Sequence, residues 1–205
     1  LFMIVLAIPM FSMRSGFPDA GGRPEGNTTR IAYDLTTEGF GAGANGPFLV
    51  VVEMPSAASV PAANALSQQL AKTPGVATAS PVIPGTPAVT PDGTTAIIQV
   101  QPTTGPQDQA TSDLLENLRT NVIPAATAGT GLTAYVGGST AVVDDFSQVL
   151  SDALPLFLAV VVGLGFLVLV LLFRSLVIPL TAAVTALLSF GAALGITVFV
   201  FQWGY

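Results

Sequence analysis

The chain has 205 residues and a net charge of −6. It contains no cysteine and no histidine; 51% of its residues are hydrophobic and only 9% charged. That inventory excludes a Cys/His zinc site, a disulfide framework, a Ser-His-Asp triad and a histidine general base. The acidic balance argues against nucleic-acid binding, which needs clustered Lys and Arg. Soluble domains carry about 25% charged residues, so a mean hydropathy of +0.70 points to a chain partly in lipid.

In chain order, LFMIVLAIPMF (1–11) comes first. As a helix it is about 16 Å long, too short to span a bilayer. With no basic n-region and no small-residue cleavage site it is a poor signal peptide, and it reads as the end of a truncated transmembrane helix. A Gly/Pro-rich connector, SMRSGFPDAGGRPEGN, follows. Asn27 or Thr28 can cap a short helix, TTRIAYDLTTEGF, with Ile31 and Leu35 on one face. GFGAGANGP is a glycine-rich break. A phosphate-cradling loop is the rival reading there, disfavoured because a strand follows and no Walker lysine does.

PFLVVVEM (47–54) reads as a continuous, buried strand. Residues 60–75 read as a helix with Ala62, Ala65, Leu66 and Leu70 at helical spacing, stopped by Pro74-Gly75. VATAS (76–80) is a short strand and, after a Pro-rich loop, TTAIIQVQP (94–102) is another. Residues 108–126 form an amphipathic helix with Leu114, Leu115 and Leu118 on one face. LTAYVGG (132–138) is the last strand, and STAVVDDFSQVLSDALP reads as a helix running straight into the first span. The order strand–helix–strand, strand–helix–strand is that of a ferredoxin-like α+β sandwich, βαββαβ, with an antiparallel sheet backed by two helices.

Residues 156–173 and 175–201 are uninterrupted apolar runs without a charge, long enough to cross a bilayer. A pair of buried core helices is the less economical reading. The resulting divisions are a domain at 12–155, spans at 156–173 and 178–201, a turn at 174–177 and an interfacial end at 202–205, where Trp203 and Tyr205 suit a membrane interface. The domain holds all twelve carboxylates and five of the six cations. Arg174 is the only charge after Asp152; in a short hairpin it marks the cytoplasmic side and puts 12–155 outside. Arg14, Arg23 and Arg30 pull the other way, but long domains translocate regardless of charge.

Several strings together resemble the MMPL family of actinobacterial lipid transporters in the resistance-nodulation-division (RND) superfamily. They are TTRIAYDLTTEGFGAGANGPFLVVVE, TGPQD (104–108), GGSTAVVDDFS (137–147), FRSLVIPL (173–180) and SFGAALGITVFVFQWG (189–204). The resemblance implies one half's porter-type domain, on the periplasmic or extracellular side of the inner membrane, with the end of that half's first helix and its second and third helices. The closing Phe-Gln-Trp-Gly is more similar to the C-terminal half. It further implies proton-driven export of lipids or lipid-like amphiphiles, with membrane lipids as substrate and the remaining helices and second half of a parent transporter as partners. The family's coupling Asp-Tyr pairs belong to a fourth helix, beyond Tyr205, so none is assigned here.

Asp144 and Asp145 are the only adjacent carboxylates. They are either proton carriers of raised pKa or, more simply, ionised groups on a solvated connecting helix. Asp145 matches the family's GG…D pattern and is a candidate for tying the domain to the membrane helices, as is Arg174 through a carboxylate elsewhere in the parent. Gly191 and Gly195 form a GxxxG step suited to close helix packing. Gly163 and Gly165 would loosen the preceding span or pack against a neighbour. Tyr33, Phe40 and Phe48 are candidates for a lipid path, with core packing the expected fate of at least two. Lys72 stands alone, and no nucleophile with its base is present. No catalytic, metal or cofactor site is expected, and the chain is not read as an enzyme. The alternative to a transporter fragment is a membrane-anchored extracytoplasmic binding or assembly module, suggested by the lack of charges inside the spans.

Overall fold

The centre of the architecture is β1 (Phe48–Glu53), which is paired on both edges in a computed structural model that describes residues 2–13 and 18–204. Its neighbours are β3 (Thr95–Pro102) and β4 (Thr133–Gly137), and β2 (Val76–Ala79) lies outside β3. The four-stranded sheet has the order β2-β3-β1-β4, with every pair antiparallel. Arg14 and Tyr205, which entered the orientation and interface arguments, lie outside the described residues, as does part of the connector.

Alternation of side chains along a strand decides which residues are buried. Phe48, Val50 and Val52 of β1, Ala96, Ile98 and Val100 of β3 and Val136 of β4 point to one face. That face is covered by α3 (Val60–Ala71), α4 (Gln109–Asn117) and α5 (Ile123–Thr127), through Leu66, Leu70, Leu114, Leu115, Leu118 and Ile123. The opposite face is open. Val51 lies level with Ile97 and Tyr135 across the three strands, and Leu49, Ile97 and Tyr135 are exposed. The apolar run of β1 is therefore buried on alternate residues, and among the described residues helices cover only that one face.

Two helix expectations also change. In α3 the buried positions are Val60, Ala63, Leu66, Ser67 and Leu70, while Ala65 faces solvent. Ser67 is accommodated because its hydroxyl donates to the Ser80 carbonyl at 2.7 Å. The helix expected over 108–126 is interrupted at Leu118–Val122 by one wide turn, in which the Ile123 N–H reaches the Leu118 carbonyl. Pro124 supplies the reason: it has no N–H to offer Thr120, and its ring displaces that carbonyl.

Before the sheet, α2 (Thr28–Phe40) is capped by Asn27, whose side chain accepts from the Thr29 N–H at 2.9 Å. None of its residues is buried; Ile31 and Leu35 are 47% and 62% exposed. The glycine-rich break beyond it is a place of close backbone approach. A Cβ on buried Gly43 would overlap the Pro102 carbonyl, and one on Gly46 would overlap the Thr140 hydroxyl.

The apolar helices are α6 (Ser139–Phe173), with Pro155 inside it, and α7 (Val177–Thr197), continued by a wide turn to Gln202. Both are long and apolar enough to cross a membrane. At about 1.5 Å per residue α6 is roughly 52 Å long, well beyond a ~30 Å hydrocarbon core. The chain divides into two compact units, Gly16–Phe146 and a second made of Leu1–Ser15 with Ser147–Tyr205. In the second, α1 (Phe2–Ala7) and the turn after it pack along α7, and the Gln202 amide donates to the Ser12 carbonyl at 2.7 Å.

Gly43→Ala is expected to destabilise the protein by about 1–3 kcal/mol, because backbone rather than a movable side chain meets the new methyl. Gly39→Ala, with open space at its Cβ and a helical backbone, is expected to be neutral or slightly stabilising. Thermal melting of the two variants in detergent checks the contrast.

Candidate functional site

A polar constellation that links several elements gathers around the start of α6. Gly138 (φ 106°) makes the turn from β4 into that helix against the backbone of Pro47–Leu49, where a Cβ would be crowded. In the first turn, the buried Thr140 hydroxyl donates to the Gly46 carbonyl at 3.0 Å, and Ala141 is fully buried. One turn on, Asp144 accepts from the Ser112 hydroxyl of α4. Asp145 accepts two bonds from Arg119, one of them at 2.9 Å, and Arg119 also donates to the Val136 carbonyl of β4 at 2.9 Å.

Arg119 sits in the wide turn that Pro124 imposes between α4 and α5. One guanidinium thus joins two elements outside its own helix, the end of β4 and the start of α6. Its planar fork suits such bidentate pairing. The bond from Arg119 holds the Asp145 carboxyl below the usual carboxylate range, against a smaller opposing effect of burial, and Asp145 reciprocally raises the Arg119 pKa. Asp144 and Asp145 are therefore not merely ionised groups on a solvated helix, the simpler reading of the sequence; each carboxylate has its own donor on α4 or the turn after it. Arg119 was not singled out from the sequence. The available signal was a lone cation five residues before a proline inside an otherwise regular helical pattern.

The N-terminus of α4 is tied down by the TGPQD turn. The Gly105 N–H donates to Asp108 at 2.7 Å, the Thr111 hydroxyl donates to the Gly105 carbonyl at 2.7 Å, and the Thr104 and Thr111 hydroxyls lie 2.7 Å apart. Nearby, Tyr33 packs over Gly21. Partial burial and then the negative charge of Asp19 raise its phenol pKa.

The other residues singled out from the sequence are dispersed. Phe48 is in the core, Tyr33 is half-buried and Phe40 is 75% exposed; only one of the three, rather than two, is a core residue. Arg174 occupies the turn between α6 and α7 in a left-handed conformation (φ 47°), its N–H bonded to the Val170 carbonyl at 2.8 Å. Its guanidinium is exposed. Gly191 and Gly195 both face the N-terminal segment. A Cβ on Gly191 would lie 3.2 Å from the Ala7 Cβ, and one on Gly195 would overlap the Leu6 carbonyl. Gly163 and Gly165 have open space where a Cβ would be. An apolar groove of about 470 Å³ runs between α6 and α7 past Pro155, Ala159, Gly163, Ala183 and Leu187. Among the described residues no group of three or more His, Cys, Asp or Glu could hold a metal ion.

The Asp145 pKa carries a pH dependence. A carboxyl depressed in the folded state stabilises above its unfolded value, about 3.9, and loses that contribution as pH falls through the folded value. Both partners are partly exposed, with 33% and 49% of their side-chain surface accessible, so the contribution is about 1 kcal/mol after solvent screening. Wild type should melt above D145N at pH 7, with the difference shrinking towards pH 3. A difference independent of pH would contradict this.

Comparison with known proteins covers both units. A family model described as MMPL family matches residues 23–204. Membrane protein YdfJ of Bacillus subtilis is 39% identical over 204 residues, which is 100% of this chain and 27% of that protein. The mycolic acid-containing lipids exporter MmpL11 of Mycolicibacterium smegmatis is 30% identical over 211 residues, covering 100% of this chain and 21% of the relative. The heme uptake protein MmpL11 of Mycobacterium tuberculosis is 29% identical over 208 residues, 99% of this chain and 21% of the relative. The chain spans about a quarter of the length of the curated relatives it matches. With a family match that takes in the sheet unit as well as both membrane-length helices, the chain belongs to the MMPL family.

Proposed function

We propose that this chain is part of a proton-driven transporter of the RND type that exports lipids or lipid-like amphiphiles from the inner membrane to the periplasm or cell envelope. The observation that carries the reading is an α+β unit whose last strand leads directly into a helix long and apolar enough to cross a membrane, in a chain that matches the MMPL model over residues 23–204. The β2-β3-β1-β4 antiparallel order, with helices on one face, supports assigning the unit to the ferredoxin-like porter type. The chain's part is to bind or pass substrate and to carry movement between the domain and the membrane helices, without catalysis. Asp145 serves as a coupling residue in this scheme, Arg174 as a cytoplasmic anchor, and Gly191 and Gly195 as packing positions. The remaining helices and second half of the parent are its partners.

The lipid assignment follows the Mycolicibacterium relative. The Mycobacterium relative is described as a heme uptake protein, so haem is the competing cargo. A second reading, an anchored binding module, draws on the absence of any ionisable side chain in 156–173 and 177–202; transporters usually place such groups within their spans.

In proteoliposomes holding the full-length protein, labelled mycolic acid-containing lipid should leave the membrane when a proton gradient is imposed and stay when it is collapsed. Lipid that binds but never moves favours the module, and gradient-dependent movement of haem alone replaces the cargo. The sidedness has its own test. On intact cells an impermeant thiol reagent should label Ala128→Cys but reach Leu176→Cys only after permeabilisation; the reverse pattern would invert the topology.

A further inference from the structure

We propose that Arg119 is a positioning residue that locks the first two turns of α6 to the sheet unit, so that displacement of the unit reaches the apolar part of α6 as movement of one rigid segment. This deepens the transport reading above and rests on it for its functional consequence.

The geometry is that of a clamp with its jaws on different elements. The Arg119 guanidinium holds the Asp145 carboxylate with two bonds and the Val136 carbonyl with a third. Val136 lies on the edge strand β4 and is paired with Val50 of the central strand, so the fixed jaw belongs to the sheet. Asp145 lies a turn and a half beyond Thr140, whose hydroxyl is anchored on Gly46, and next to Asp144, which Ser112 holds. Three side-chain attachments within six residues leave the start of α6 little freedom to roll or pivot. Arg119 alone of these donors reaches both the sheet and α6.

Its placement follows from the helix spacing of α4. Leu118 falls on the Leu114–Leu115 face by its i+4 and i+3 spacing. Leu118 is fully buried, and Arg119, one position on, faces α6 and β4; the one-residue expansion at Leu118–Val122 changes the phase of the residues that follow. Such expansions often lie at functional sites. Ten residues beyond Asp145, Pro155 removes the backbone bond to the Ser151 carbonyl. Between the clamped turns and that weakened point the helix ladder is unbroken by proline, so the segment from Thr140 to Pro155 can move as one. A half-exposed ion pair contributes little to stability. Orientation, rather than stability, is the property most sensitive to its loss.

The test uses the full-length protein in a cysteine-free background, with spin labels at Glu116→Cys and Gln148→Cys and a melting profile for each variant. The wild type should give one narrow distance distribution. R119A and D145N should each broaden it about twofold, and R119A/D145N should broaden it no further than either single change, the non-additivity expected of one coupled pair. R119K, which keeps charge but loses the fork, should fall between. In proteoliposomes the same variants should cut maximal flux about tenfold with half-saturation unchanged, the sign of a positioning role. Unchanged distributions in folded R119A and D145N, or strictly additive broadening, would overturn the clamp even if flux fell. If the distributions respond as expected but the wild type moves no substrate, the clamp stands and the transport reading fails.

Discussion

Everything in the sheet unit depends on β1 being hydrogen-bonded on both edges. A strand paired on both sides has all its backbone donors and acceptors satisfied within the sheet, and its register then dictates which side chains meet the helices. Here that register sets Phe48, Val50 and Val52 against α3, α4 and α5. It also places β4 alongside β1, and thereby brings Gly138 and Thr140 against the Gly46–Leu49 backbone. The start of the long apolar helix is thus a consequence of strand pairing, and the glycines at 46 and 138 are the small residues that let two backbones approach closely enough for it.

Upon that seat the polar contacts add direction. Ser112 and Arg119 approach α6 from the covering helices, and Asp144 and Asp145 meet them. Pairs this exposed contribute little to folding free energy, while Arg119's three bonds constrain angle and roll. The division of labour is between apolar burial, which supplies stability, and a few charge-assisted bonds, which supply orientation.

In the other unit the chemistry is different. There is no gain from hiding apolar surface when the surroundings are themselves apolar, so close contact relies on small residues. Gly191 and Gly195 on α7 meet Ala7 and the Leu6 backbone, where a larger side chain at 195 would force the segments apart. Threonines along α7 return their hydroxyls to the helix itself, as Thr181, Thr185 and Thr197 do, so these three groups are satisfied without water.

Element types and their order were legible in the sequence because each follows from a local pattern. The apolar runs are long and free of charge, Asn27 is a good cap, and β-branched residues cluster at 50–52 and 97–100. Charge and composition excluded whole classes of chemistry for the same reason: they depend only on which residues are present. What the tertiary structure decided was what lies opposite what. Val51 and Ile97 belong to apolar strings as much as Val50 and Ile98 do, yet one pair faces open and the other is buried, because only one face of the sheet has helices. Ala63 rather than Ala65 is buried for the same reason. Arg119 looked like an ordinary surface cation until the packing of α4 on the sheet and the pairing of β4 with β1 brought it to Asp145. Local periodicity carries information over one or two turns, whereas Arg119 and Asp145 are separated by 26 positions and meet only through the sheet.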